Sequence, residues 1–396
     1  MEKFFATCPR GLETLLAEDV AAAGATDREA VPGGVHFSAD WRGCYALNLH
    51  SRIATRVLWR VAHGRYARED DVYRLALDVP WPKYFGAERT LRVAVVAVKS
   101  PLKSLEFITL RIKDAVCDRF RADEGIRPSV DTRDPDVRVH GFLSADTCTL
   151  YLDTSGAPLY QRGLRQKTVE TPLKENLAAG VLLLSGWRPG IPLIDPMCGS
   201  GTFLTEAAQM ALAIAPGAGG RSFGFQRLRN FQLETWKALL DAAQEAERAA
   251  RPAQIWGSDI SPVAVRAALA NLDRAGLLPA VTLCRGDLLE IDAPAPAGVL
   301  VANLPYGERL SDQEELAAFY PRLGSALKHK FAGWNCFLLT ADRRLPQLMR
   351  LSPGKKTPLF NGAIECRLFE FSMVAGSRRR KAGDGESLQR QAPEGM

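Results

Sequence analysis

Residues 191–203 read I-P-L-I-D-P-M-C-G-S-G-T-F, and residues 299–307 read V-L-V-A-N-L-P-Y-G. The first stretch is a short apolar run ending in a carboxylate, Asp195, followed by a turn of small residues and a helical pattern from Gly201 to Ile214. That order is the first β-turn-α unit of a parallel α/β sheet, where ligands sit at the carboxyl ends of the strands. Gly199 and Gly201 leave room for the backbone to approach such a ligand closely.

Two familiar nucleotide loops fit poorly. The dinucleotide fingerprint needs a third small residue where Leu204 stands, and a phosphate-cradling loop needs a lysine that does not follow Gly201. What remains resembles the S-adenosylmethionine loop of class I methyltransferases. Asn303-Leu304-Pro305-Tyr306, at the end of the second apolar run, resembles the Asn-Pro-Pro-Tyr motif of enzymes that methylate exocyclic amino groups of bases.

Around these stretches the chain has 396 residues, more than a single core usually supports, so two or more domains are expected. A hydrophobic fraction of 46% and a charged fraction of 24% are ordinary for a globular protein. The net charge of +6 suits a polyanionic partner without requiring one. Eight scattered cysteines form no C-x-x-C pair, which speaks against a zinc ribbon or redox dithiol, and reduced thiols are expected. Neither a signal peptide nor an apolar run long enough to span a bilayer is present, so the expected location is cytoplasmic, away from membranes.

In chain order, the amino-terminal half alternates short strands and helices in an α+β pattern. Its best helix carries Leu105, Ile108, Ile112, Val116 and Phe120 at helical spacing, and strands are expected at Val137 to Leu143 and Thr147 to Asp153. The segments S-L-E-F-I-T-L-R-I-K-D-A-V-C-D-R-F (104–120), R-P-S-V-D (127–131) and L-Y-Q-R-G-L-R (159–165) resemble the THUMP domain of RNA-modifying enzymes, preceded by its ferredoxin-like partner. T-P-L-K-E-N-L-A-A-G (171–180), D-P-M-C-G-S-G-T (195–202) and N-L-P-Y-G-E-R-L (303–310) resemble the bacterial 23S ribosomal RNA guanine-N2 methyltransferases of the RlmL type. The resemblance runs from Phe4 to Val374. It implies a ferredoxin-like subdomain at 1–62, a THUMP RNA-binding domain at 63–165 and a doubly wound class I methyltransferase domain at 166–376, closed by an antiparallel hairpin, with a disordered polar tail at 377–396.

Two departures stand out. Leu304 replaces the first proline of the motif, as in the ribosomal RNA adenine-N6 dimethyltransferases, so N6-adenine methylation of RNA stays open beside guanine-N2, as does a tRNA target. Some relatives carry a second methyltransferase domain downstream; with the sequence ending at Met396, no second activity is expected. Ala215 to Phe231 reads as an insertion, and the last two strands are expected to join at Asn361-Gly362.

Several residues take candidate roles. Asp259, at a strand end, can accept the cofactor's ribose hydroxyls or serve the cap of the helix that starts at Ser261-Pro262. Asp287 can accept the adenine amino hydrogen. Asp195 either organises the glycine loop or meets the methionine end of the cofactor, and Cys198 fits the same loop as a small packing residue rather than a nucleophile. The Asn303 side-chain oxygen and the Leu304 carbonyl can accept the hydrogens of an exocyclic amine, localising its lone pair; Pro305 stiffens the turn, and Tyr306 offers a face for an extruded base. No metal is called for. In the amino-terminal half Arg111, Lys113, Arg162, Arg165 and Lys167 are candidate phosphate contacts, and the basic run 378–381 a further weak one. The expected partner is 23S ribosomal RNA, naked or in an assembly intermediate, and no obligate protein partner is signalled.

Overall fold

The computed structural model describes residues 1–163, 173–248, 254–305 and 310–374. Its amino-terminal half runs β1 (Glu2–Thr7), α1 (Glu13–Ala22), β2 (Thr26–Val31), β3 (Gly34–Ala39), α2 (Trp41–His50), β4 (Arg56–Arg65), α3 (Glu69–Leu77), β5 (Leu91–Ala97), α4 (Leu105–Glu124), β6 (Val137–Leu143) and β7 (Thr147–Asp153). The carboxy-terminal half runs α5 (Glu175–Leu184), β8 (Leu193–Asp195), α6 (Thr202–Ala211), α7 (Leu233–Arg248), β9 (Ile255–Asp259), α8 (Pro262–Arg274), β10 (Thr282–Arg285), β11 (Gly298–Asn303), α9 (Leu310–Lys330), β12 (Trp334–Thr340), α10 (Leu345–Met349), β13 (Lys356–Asn361) and β14 (Ile364–Ser372).

Local chemistry explains many boundaries. Ser104 caps α4 by accepting the Phe107 N–H, and Gly125 ends that helix in the left-handed region at φ +73°. Asp40 caps α2 and Ser261 caps α8, where Pro262 sits at the first helical position. None of the helices among the described residues is long and apolar enough to cross a membrane.

The strands form two seven-stranded sheets. The first has the order β2-β3-β1-β4-β7-β6-β5. β4 pairs with β1 on one side and β7 on the other, so the expected boundary at 62/63 falls inside a strand that both modules share. β2, whose side chains are exposed or nearly so, carries no alternation and was not foreseen. The second sheet has the order β10-β9-β8-β11-β12-β14-β13; β10 to β12 are parallel, and β14 and β13 close it antiparallel. This is the doubly wound sheet with a closing hairpin expected above. The hairpin turn itself is shifted by one residue from the expected pair: Asn361 and Ile364 face each other across Gly362-Ala363, and only the first of these loop residues has positive φ, +68°. That is the type II′ pattern, which places glycine first.

The stretch expected to be an insertion instead joins the halves. Phe223, Phe225 and Phe231 pack with Trp236 of α7 around Tyr45 of α2, with ring centroids 4.4–6.3 Å from the tyrosine ring for Phe225, Phe231 and Trp236. A single apolar cluster therefore runs from Phe4 and Trp59 through Leu177 and Phe203 to Leu359.

Candidate functional site

The order of the second sheet reverses between β8 and β11, which lie side by side with Leu193 opposite Val299 and Ile194 opposite Leu300. Such a switch point leaves a crevice at the carboxyl ends of the strands. The glycine loop leaves β8 into that crevice, and Asn303 ends β11 beside it.

The loop is held from several sides. Gly199 and Gly201 have φ of +54° and +83°, conformations that a side chain would strain. A Cβ on Gly201 would also stand 3.2 Å from the Ala268 methyl of α8. The Cys198 N–H donates to the Ser258 carbonyl at 2.9 Å, the Gly201 N–H to the Cys198 carbonyl at 2.8 Å, and the Asn271 amide to the Ser200 carbonyl at 3.0 Å. Cys198 itself is buried, and burial pushes its thiol far up from its ordinary value, as suits packing rather than nucleophilic chemistry.

Asp259 joins two of the sequence expectations. Its Oδ2 accepts the Gly199 N–H at 2.9 Å and its Oδ1 the Ser261 N–H at 2.9 Å, so the carboxylate ties the end of β9 to the glycine loop and to the start of α8. A carboxylate has about four acceptor positions, so two hydroxyls can still be taken. The neighbouring strand continues the row: Arg285 pairs with Asp259, and two residues later Asp287 accepts the Leu289 N–H at 2.9 Å while remaining half-exposed. Asp195 is almost wholly buried and accepts the Met197 N–H at 3.2 Å; burial, with the Asp259 charge adding to it, raises its carboxyl well above the usual range.

At the other lip of the crevice, the Asn303 Oδ1 is a buried acceptor with no hydrogen-bond partner among the described residues. Buried acceptors are rarely left so, and one at a strand end beside such a crevice fits an incoming donor. Leu304 donates its N–H to the Leu339 carbonyl at 2.9 Å, and its side chain is fully buried in a second apolar cluster with Leu338 and Tyr320. Pro305 is exposed. Tyr306 lies outside the described residues.

The expected phosphate contacts fare differently. Arg162 is corrected: its side chain is 2% exposed and its guanidinium meets the wholly buried Glu206 of α6 at 3.1 Å, so it is an interior brace that a phosphate does not reach. Arg52 approaches the same carboxylate at 3.5 Å and donates to the Ile214 carbonyl. Glu206 was missed, although an acid inside F-L-T-E-A-A-Q-M-A, where most neighbours are core types and none is charged, is a legible signal of a buried partner. Arg111 pairs with Asp70 at 2.8 Å and lies over the Tyr73 ring, and Lys113 pairs with Asp114 at 2.6 Å; each would leave a carboxylate to reach a phosphate. Arg165, Lys167 and the basic run of the tail lie outside the described residues.

Comparison with known proteins agrees with this layout. Residues 3–58 match the RlmL ferredoxin-like domain, 66–153 the THUMP domain and 162–370 the RMKL-like methyltransferase domain. The chain is 36% identical over 384 residues to the ribosomal RNA large subunit methyltransferase K/L of Shewanella frigidimarina, covering 96% of this chain and 54% of that protein. It is 38% identical over 385 residues to the enzyme of the same name from Cellvibrio japonicus, covering 94% and 51%. The chain thus spans about half the length of these curated relatives. It is also 35% identical to the candidate RNA methyltransferase slr0064 of Synechocystis, covering 93% of this chain and 96% of that one. Among solved structures, SMU.472, a methyltransferase candidate complexed with SAH, superposes with a TM-score of 0.85 at 28% identity over 95% of this chain and 99% of the other. A predicted N6-adenine-specific DNA methylase from Listeria monocytogenes gives 0.83 at 30% identity over 94% and 96%. With its methyltransferase domain matched over more than half its length and both preceding modules in the same order, the chain belongs to the RMKL-like methyltransferase family.

Proposed function

We propose that this protein transfers a methyl group from S-adenosylmethionine to the exocyclic N2 of a guanosine in 23S ribosomal RNA. The observation that carries the reading is the buried, unpartnered Asn303 Oδ1 at the switch point, beside a glycine loop shaped for close backbone approach. The residues fit the methyl donor: Asp259 for the ribose hydroxyls, Asp287 for the adenine amine, and the Gly199–Gly201 backbone for the methionine end. Bound there, S-adenosylmethionine would supply an electrophilic methyl carbon on a positively charged sulfur.

The chain's own work is then orientation. The guanine amine is a poor nucleophile because its lone pair is shared with the ring. Asn303 Oδ1 and the Leu304 carbonyl each accept one of its hydrogens, which localises that lone pair and aims it at the methyl carbon. With the donor held there, an N–C bond would form as its C–S bond broke, and the surplus proton would leave to water. The amino-terminal half is the RNA-docking module, as its THUMP match suggests.

Leu304 is the one feature favouring adenine-N6. Its side chain, however, packs in the core rather than toward the crevice, so leucine or proline there answers to packing, while the carbonyl offered to the base is common to both. The test is mass spectrometry of nucleosides from 23S RNA of a strain lacking this protein, followed by addition of the purified full chain. Loss and restoration of one N2-methylguanosine is the expected result; missing N6-methyladenosine with unchanged N2-methylguanosine would transfer the reading to adenine.

A further inference from the structure

Strand alternation gives the first sheet two unlike faces. Phe4, Trp59, Leu152, Val139 and Val93 point to α1–α4 and are buried, and a Cβ on Gly141 would meet Ile112 of α4, so all four helices cover that one side. The residues between them make up the other side. There the pairing sets Phe5 beside His36, Arg60 beside Tyr151, Tyr151 beside His140, and Val96 beside Phe142. The rings form a connected group: Phe5 lies 4.4 Å from His36 and 6.3 Å from Tyr151. Toward the β5 edge, Phe142 is 40% exposed and Val96 58% exposed, large apolar groups with nothing described over them.

The charge on this face is mostly positive, with the exposed Glu29 opposite His36 as a counter-charge at the β2 edge. Arg60 and Arg138 form no ion pair among the described residues, and the Arg60 charge acts on both His36 and Tyr151. The acid nearest the middle, Asp153, is wholly buried and spent on Arg56, His140 and the Ser155 and Gly156 amides. The exposed Phe142 and the half-exposed Phe5 and His36 rings, interleaved with unpaired guanidiniums, suit a polyanion whose rings are free to stack, which is unpaired RNA. A duplex hides its base faces and would use only the charges.

We propose that this open face of the first sheet is the platform on which an unpaired stretch of the RNA substrate lies, bases stacking on Phe142 and the Phe5–His36 group while Arg60 and Arg138 meet phosphates. The proposal rests on the RNA-methyltransferase reading and assigns the docking surface within it. It differs from the candidate set Arg111 and Lys113, which lies on α4 behind the sheet.

The full chain and its variants are titrated with a short fluorescein-labelled single-stranded oligoribonucleotide and with the matching duplex. Phe142→Ala and Arg60→Ala are each expected to weaken single-strand binding by about tenfold. Phe142→Trp should hold the affinity of the parent, whereas Phe142→Leu, which keeps apolar bulk without a ring face, should bind like Phe142→Ala. Arg60→Ala should also lower the slope of log affinity against log salt by about one. Thermal unfolding checks that each variant is folded, which the exposure of Phe142 favours. Unchanged single-strand affinity in Phe142→Ala and Arg60→Ala, with methyl transfer to 23S RNA retained, overturns the platform and leaves the enzymatic reading standing. Leucine substituting fully for Phe142 also overturns it, pointing to an apolar protein partner. A parent chain that neither binds RNA nor methylates it refutes the enzymatic reading itself.

Discussion

Asn303 is placed for a hydrogen bond that the described protein does not itself supply. A buried acceptor that meets its donor only with the base bound contributes where it matters for rate, and losing such a bond is worth about 1–3 kcal/mol, or roughly tenfold to a hundredfold. We therefore expect Asn303→Ala to lower methyl transfer by that factor while calorimetric affinity for S-adenosylmethionine stays nearly the same; a parallel loss of cofactor affinity would place the residue in the wrong half of the site. Asp195 leads to a different expectation, concerning stability. Burial and the Asp259 charge hold its carboxyl well above the usual range. A group so raised contributes stability that is fully present below the unfolded-chain pKa of about 4 and is lost as pH rises through the folded value. The melting temperature of the ligand-free parent should thus fall relative to that of Asp195→Asn as pH is raised from about 4 toward neutrality. A difference between the two that is constant with pH would sink this account of the carboxyl.

Among the elements, α6 ties the glycine loop to the preceding half. Its first turn follows the glycine loop, its middle carries Glu206 into a pair with Arg162 and Arg52 from the preceding half, and α5 packs along it. The helix that follows the glycine loop is therefore bolted to the amino-terminal half. Removing the carboxylate leaves the Arg162 guanidinium with no paired acid among the described residues, and breaking a buried pair from one side costs about 3–5 kcal/mol. Glu206→Ala should lose about that much in urea denaturation, whereas Asp70→Ala, which frees the half-exposed Arg111 pair, should lose under about 1 kcal/mol. Equal costs at the two sites would mean that Glu206 is better solvated than its burial indicates.

At the scale of the whole molecule the two halves share one apolar cluster, with Tyr45 seated among Phe225, Phe231 and Trp236 and its hydroxyl oxygen accepting the Gln232 N–H at 3.1 Å. Leu12 packs so closely on α5 that a Cβ on Gly180 would lie 2.5 Å from it. A methyltransferase half cut away near residue 167 would expose this surface to water, so the fragment should aggregate or unfold well below the full chain, and the full chain should melt in a single calorimetric transition. Two separate transitions, with the fragment as stable as its counterpart in the full chain, would show the halves to be independent.

Features set by residues near one another were legible in the sequence. The strand-turn-helix at Asp195 to Phe203, the strand ending at Asn303, the long amphipathic α4 and the strands at 137–143 and 147–153 follow from periodicity and turn chemistry over a few residues, and from these the sheet type and the place of the site could be read. What depended on partners far along the chain was not legible. Arg162 is an ordinary surface arginine in its local context and becomes an interior brace only because Glu206 stands 44 residues on. The phenylalanines of 223–231 look like an insertion until Tyr45 and Trp236 close around them. Alternation divides the first sheet into two faces, but it is the packing of α1–α4 on one side that leaves Phe142 and Arg60 on the other free for a ligand. Side-chain type and spacing act over one or two turns, whereas burial and charge pairing are set by whatever the fold brings alongside.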